Sequence, residues 1–329
     1  VANEHIASNI RGNRIQSGLL IFGMGCVVAL IGFVLGGQLG LGIAIAACVA
    51  MALFAPRVSP HLVLKMYKAE EISHRSSPEL LDLFAQLVQR AELPVAPKLY
   101  YIPSRTLNAF AVGNQHDSAV AITDGLLRIL NPREIAGVLA HEVSHIRHKD
   151  MRVLGIADSV SRITGTLSQI GQLMLLLAIP SALNGGYLLL LGAALLIGAP
   201  MISNLMQLAL SRAREFNADL GAVALTGDAG GLASALTKLE RATSRTGFPW
   251  IFAGRKKQTV PAMLRTHPAT DERVRRIIAA GESFLSAQPT LPKMDSAHHR
   301  RTPHRQRLAP NQQPRVRKGP RWHVAGLWY

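Results

Sequence analysis

Residues 15–56 contain no Asp, Glu, Lys or Arg, and neither do residues 163–211. At about 1.5 Å per helical residue, each stretch is roughly twice as long as the ~30 Å needed to cross a bilayer. Each is also broken near its middle, by Gly36-Gly37-Gln38 in the first and by Pro180-Ser181-Ala182-Leu183-Asn184-Gly185-Gly186 in the second. This pattern predicts two helical hairpins, 17–35 with 39–54 and 163–179 with 187–210. Four transmembrane helices follow. The third is the least apolar, since it carries Thr164, Thr166, Ser168, Gln169 and Gln172.

The rest of the composition agrees. Only 17% of residues are charged, against roughly 25% in a typical soluble domain. The 48% apolar content is too high for a disordered chain. Two cysteines, Cys26 and Cys48, exclude a disulfide scaffold and a Cys-rich zinc ribbon. Both lie in the first hairpin and read as small packing residues. The net charge is +16. Lys and Arg flank the open ends of both hairpins (Arg11, Arg14, Arg57, Lys65, Arg147, Arg152, Arg212, Arg214), whereas the tips carry no charge. Cytoplasmic segments hold the excess of Lys and Arg, so the hydrophilic parts and both termini are expected on that side of a cell inner membrane. The start of the chain has no A-x-A-like cleavage signal, so the first span reads as a retained anchor.

The expected organisation has five parts. Residues 1–57 hold the N-terminal segment and first hairpin, and 58–162 the first part of a soluble domain. Residues 163–210 form the second hairpin, 211–282 the second part of the domain, and 283–329 a basic tail. Ser77-Pro78-Glu79 starts a helix with apolar residues at Leu80, Leu81, Phe84, Leu87 and Val88. Three strand-like runs follow at 98–102, 107–112 and 118–123. Asn131-Pro132-Arg133-Glu134 is a helix start with an N-cap, a first-position proline and a capping-box Glu. The fold class is therefore α+β, mainly helical, with a small sheet in the soluble part.

That second helix runs into His141-Glu142-Val143-Ser144-His145. Histidines four apart share one helix face and can bind one ion. Zinc accepts nitrogen and oxygen ligands and keeps a fourth position open for water. Glu142 can take the proton of such a water as general base without being a ligand. Read as solvated polar residues, the motif would sit badly on a helix whose Ala140, Val143 and Ile146 are packed. His148 lies about 10.5 Å along the axis from His141, too far to share a tetrahedral ion. It reads as an exposed or outer-sphere histidine. Beyond the second hairpin, Ser211-Arg212-Ala213-Arg214-Glu215-Phe216-Asn217-Ala218-Asp219 places Glu215 and Asp219 one turn apart. Glu215 is the expected third ligand. Asp219 is expected to accept the free N–H of a ligating imidazole.

These two motifs with a membrane hairpin between them resemble the HtpX-type membrane zinc metalloproteases. Further matches are Asn108-Ala109-Phe110-Ala111-Val112-Gly113 and Thr266-His267-Pro268-Ala269-Thr270-Asp271-Glu272-Arg273. The resemblance covers about residues 10–280. It implies a gluzincin-like endopeptidase with one zinc ion per chain on His141, His145 and Glu215, Glu142 as base and Asp219 behind the ligands. It implies that the strand at 108–113 pairs with an extended substrate, which agrees with what an edge strand offers a peptide. It also implies that His267 and Arg273 stabilise the oxyanion or brace the site. The expected substrates are misfolded or unfolded membrane proteins, cleaved at the cytoplasmic face in protein quality control.

Two other functions compete. A CAAX-type prenyl-protein endopeptidase shares the motifs but has more spans. A non-catalytic membrane scaffold or channel with a structural metal would not need Glu142, and no charged residue lies inside the spans to favour a channel. The tail carries nine Lys or Arg against Asp295. It lacks interleaved aromatics apart from Trp322, Trp328 and Tyr329, so nucleic acid is not expected as a partner. Its expected partner is anionic lipid on the cytoplasmic leaflet, with an inert solvated extension as the alternative.

Overall fold

The computed structural model describes residues 2–54, 59–183, 187–245 and 270–284. Its elements in chain order are α1 (Ala2–Phe54), α2 (Pro60–Met66), β1 (Glu70–Glu71), α3 (Pro78–Arg90), β2 (Lys98–Ile102), β3 (Ala109–Gly113), β4 (Ser118–Thr123), α4 (Asp124–Ile129), α5 (Pro132–Arg147), α6 (Asp150–Leu183), α7 (Tyr187–Thr226), α8 (Ala229–Arg245) and α9 (Thr270–Phe284). Among the described residues, three helices are long and apolar enough to cross a membrane: Gly12–Phe54, Asp150–Pro180 and Tyr187–Thr226.

The first of these is not one straight rod. Gly36 and Gly37 leave helical geometry, and Gly37 takes φ +56°, which glycine adopts without a steric cost. A Cβ on either Gly32 or Gly40 would strike the backbone carbonyl of the other. Residues eight apart in a continuous helix are about 12 Å apart along its axis, so the chain turns back here. Met24, Val28 and Ala44 of the two arms pack with Ala157, Val160 and Leu210. Outward-facing Phe22, Leu39, Leu173, Leu177 and Leu188 remain exposed. Apolar surface on that scale is a lipid-facing surface.

The second hairpin departs from the expected breaks. α6 continues through Pro180 to Leu183. Helices in lipid tolerate proline because neighbouring groups satisfy the freed carbonyl. The expected divisions at 162/163 and 210/211 fall inside α6 and α7, so membrane and soluble parts share continuous helices. Ser161 donates to Gln207 Oε1 at 2.7 Å across this pair.

The soluble part packs helices on both faces of a sheet ordered β1-β2-β4-β3. β2 and β4 are parallel, while β1/β2 and β3/β4 are antiparallel. The pleat sends Val120 and Ile122 to one face, against Phe84 and Leu87 of α3 and Leu139 and Val143 of α5. Ala119 and Ala121 face the other way, with Phe110 and Val112, against Val63 and Leu64 of α2. Each fully buried side chain of this size contributes about 1.5–3 kcal/mol. β2 and β4 have the bounds read from sequence, whereas β3 starts two residues later than expected. Ser77 precedes α3 but makes no side-chain cap bond. Asn131 forms the full capping box: its side chain accepts from Glu134 N–H at 3.0 Å, and Glu134 Oε2 accepts from Asn131 N–H at 2.8 Å. Glu134 is in turn held by Ser234 and Lys238 of α8. This fixes where α5 starts, and so which face carries the histidines.

Candidate metal centre

α5 carries His141 and His145, and α7 brings Glu215 to them. The two Nε2 atoms are 3.1 Å apart. Glu215 Oε2 lies 3.6 Å from His141 Nε2, and Oε1 lies 3.7 Å from His145 Nε2. Ligands at ~2.0–2.1 Å in tetrahedral geometry stand about 3.4 Å from one another. The two imidazole nitrogens and the Glu215 carboxylate, which faces each of them with a different oxygen, come within a few tenths of an ångström of that separation.

The far nitrogen of each imidazole meets an aspartate. Asp219 Oδ1 is 3.0 Å from His141 Nδ1, and Asp150 Oδ2 is 2.8 Å from His145 Nδ1. A carboxylate at Nδ1 selects the tautomer with its proton there. Two Nε2 lone pairs then face each other and a carboxylate, and a cation satisfies all three. The electrostatics agree. Burial opposes charge on His141, but Asp219 and Glu215 outweigh it and push its pKa up to about 10. The residues therefore fit a metal ion: two nitrogens and one carboxylate oxygen around a point that favours positive charge.

Arg273 of α9 binds Asp219 with two parallel bonds, Nε to Oδ2 at 2.8 Å and Nη2 to Oδ1 at 2.7 Å. Its Nη1 is 3.2 Å from Glu215 Oε2. With both carboxylates engaged and only 3% of its surface exposed, Arg273 stands behind the ligands in a bracing position. Arg276 on the same helix stacks over Phe216 at 3.8 Å, which adds a second tie between α9 and α7.

Glu142 is held by the sheet. Its Oε2 accepts from Ala111 N–H at 2.9 Å. β3 ends the sheet among the described residues. Asn108 O accepts from Thr123 N–H, and Asn114 N–H donates to Asp117 O. Antiparallel pairs alternate, so Ala109, Ala111 and Gly113 aim their backbone groups at the open edge while Phe110 and Val112 bond to β4. Asn108 lies just before the strand. The structure thus brings Glu142 and the strand at 108–113 together beside the histidines.

His148 stays outside the donor group. It is half-buried, with Nδ1 3.3 Å from Ser144 Oγ. Burial pushes its pKa down to about 4, against the opposing pull of Asp150. His267 and the tail from 285 onward lie outside the described residues. The sequence reading missed Asp150 and Arg214, which donates to Asp150 Oδ1 from Nη1 at 3.0 Å. The one available signal was an acidic residue five positions past His145, and it has no helical register.

Two contacts tie the apolar helices to the site. Asn13 of α1 donates to Asn217 Oδ1 at 2.8 Å. Arg152 donates to Ala52 O, at the end of the first hairpin, at 2.6 Å. α5 and α7 meet at Gly221, where a Cβ would strike Ser144 Oγ and lie 3.0 Å from Ser144 Cβ. Gly221→Leu is expected to push the two helices apart, lowering stability by about 1–3 kcal/mol and separating Glu215 from the histidines. A drop in both the melting temperature and the metal content of detergent-purified protein would register this; an unchanged metal content would contradict it.

Comparison with known proteins gives the family of the chain. The model for "Peptidase family M48" matches residues 74–280. A protein named "Protease HtpX homolog" from Methylibium petroleiphilum is 35% identical over 281 residues, covering 81% of this chain and 97% of its own length. Homologues of the same name from Paraburkholderia phytofirmans and Burkholderia mallei are 34% and 33% identical, each covering 81% of this chain and 96% of its own. Among solved structures, the crystal structure of S. mikatae Ste24p aligns with a TM-score of 0.41 and 18% identity, covering 82% of this chain. The chain spans 66% of that protein, just under two thirds. Matched over more than half its length by the family model, and covering its relatives nearly end to end, the chain belongs to peptidase family M48 and is a membrane metalloprotease.

Proposed function

We propose that the protein is a zinc-dependent endopeptidase that cleaves misfolded or unfolded membrane proteins at the cytoplasmic face of a cell inner membrane. The observation that carries this reading is the juxtaposition of three parts. His141, His145 and Glu215 converge on one point, Glu142 stands next to them, and the open edge of β3 touches Glu142 through Ala111. The chain crosses the bilayer four times, since each arm of α1 is long enough to span it and α6 and α7 supply the other two crossings. The Lys and Arg at the open ends of both hairpins support the cytoplasmic side for the site.

His141, His145 and Glu215 would hold the zinc ion, which would supply Lewis-acid polarisation of the scissile carbonyl and a water that is a usable nucleophile near neutral pH. Glu142 takes the proton from the attacking water and returns it to the leaving amine. An extended substrate adds to β3 through the backbone groups of Ala109 and Gly113 and the carbonyl of Ala111. Asp219 and Arg273 hold the ligands and take no proton in the step.

Membrane proteins are the natural substrates of a site placed this way. Asn13 and Ala52 tie both ends of the first hairpin to the level of Glu215 and Asp150. Residue 150 stands about 18 Å along α6 from Arg162, where the charge-free stretch begins. A polypeptide loop emerging from the bilayer reaches that height at once. The test is cleavage in proteoliposomes. An unfolded membrane protein is expected to be cut in its cytoplasmic loops, and a prenylated CAAX peptide is expected to remain intact. Cleavage of the peptide alone would shift the assignment to a prenyl-protein endopeptidase.

A further inference from the structure

Asp150 is the first residue of α6, and it is 1% exposed. A buried carboxylate is costly unless both oxygens are satisfied, and here each has its own partner. Oδ2 meets His145 Nδ1 at 2.8 Å and Oδ1 meets Arg214 Nη1 at 3.0 Å. Arg214 is itself buried and precedes Glu215 on α7. The chain reaches this arrangement through an unusual turn: between α5 and α6, Lys149 takes φ +58°, in the left-handed region that side-chain-bearing residues seldom adopt. That turn folds Asp150 back onto a histidine five residues earlier.

We propose that Asp150 and Arg214 are a positioning pair for the metal ligand His145, and that they couple that ligand to the two helices of the second membrane hairpin. Asp150 holds the proton of His145 on Nδ1 and so presents the Nε2 lone pair to the metal. Arg214 fixes the Asp150 carboxylate in that orientation. His145 thereby receives the same support from the start of α6 that His141 receives from Asp219 and Arg273. The two supports differ in origin. One depends on α9, the other on how α6 and α7 emerge together from the apolar layer. A displacement of either long helix at its polar end therefore reaches the metal through one carboxylate.

The inference rests on the metal reading above, and its test separates the two. Zinc affinity is measured by chelator competition on the full chain in detergent, beside the melting temperature of the metal-free protein. Asp150→Asn is expected to weaken zinc binding by about 10–100-fold. Arg214→Gln should do the same, while Arg214→Lys, which keeps the charge, should recover most of the affinity. In cobalt-loaded protein, Asp150→Asn and Arg214→Gln should shift the visible absorption band, a change that loss of packing alone does not cause. Wild-type zinc affinity in folded Asp150→Asn would overturn the proposal. If Asp150→Asn does not fold, the Arg214 pair decides: equal affinity in Arg214→Gln and Arg214→Lys overturns it, and a split in favour of Lys supports it. Wild-type protein that takes up no zinc would instead overturn the metal reading itself.

Discussion

Glu142→Gln is expected to keep its metal and to lose peptide-bond cleavage by about 10²–10⁴-fold, the usual contribution of a positioned general base. The glutamine variant is the informative one. The Glu142 carboxylate accepts the Ala111 N–H at 2.9 Å, and in the proposed mechanism it also takes a proton. A glutamine amide oxygen still accepts that N–H, so the edge of β3 keeps its position. What disappears is the basic oxygen. Glu142 is absent from the converging donors, which are His141, His145 and Glu215, so metal content should stay at the wild-type level. Cleavage of an unfolded membrane protein in proteoliposomes and metal analysis of the same sample measure both halves. Full activity in a folded, metal-loaded Glu142→Gln protein would remove Glu142 from the role of base.

The parts of this site that the sequence revealed share one property: they depend on local spacing. His141 and His145 are one turn apart on a helix whose start is written in Asn131-Pro132-Arg133-Glu134, and the capping box forms as the residues imply. Glu215 and Asp219 are likewise one turn apart. Asp150 could not be found that way. Its contact with His145 crosses a left-handed turn at Lys149, and its contact with Arg214 spans 64 positions. Neither leaves a periodic trace. β1 was also invisible, because two exposed glutamates have no alternation to detect. The long apolar helices were legible as charge-free stretches, but their ends were not. A proline marks a break in water more strongly than in lipid, and α6 passes through Pro180. The divisions at 162/163 and 210/211 followed charge, whereas the backbone hydrogen bonds of α6 and α7 do not change where the charges start.

Glu215→Ala should cost the protein its metal. A wild-type chain loaded with zinc is expected to hold about one ion, and dialysed Glu215→Ala close to none. Removing Glu215 leaves two imidazoles on one helix, which is too few ligands for a closed three-donor set. The loss should exceed the 10–100-fold seen when groups behind the ligands are changed. The fold should survive. Arg273 keeps its two bonds to Asp219, so its buried charge stays paired, and Phe216 still packs under Arg276. His148→Ala is the matched control. It removes a third histidine from the same segment, yet one that touches Ser144 rather than the donor group. Zinc content and chelator resistance should therefore collapse in Glu215→Ala and hold in His148→Ala, with similar circular dichroism in both. Loss of metal in His148→Ala with retention in Glu215→Ala would transfer the third ligand from α7 to the end of α5.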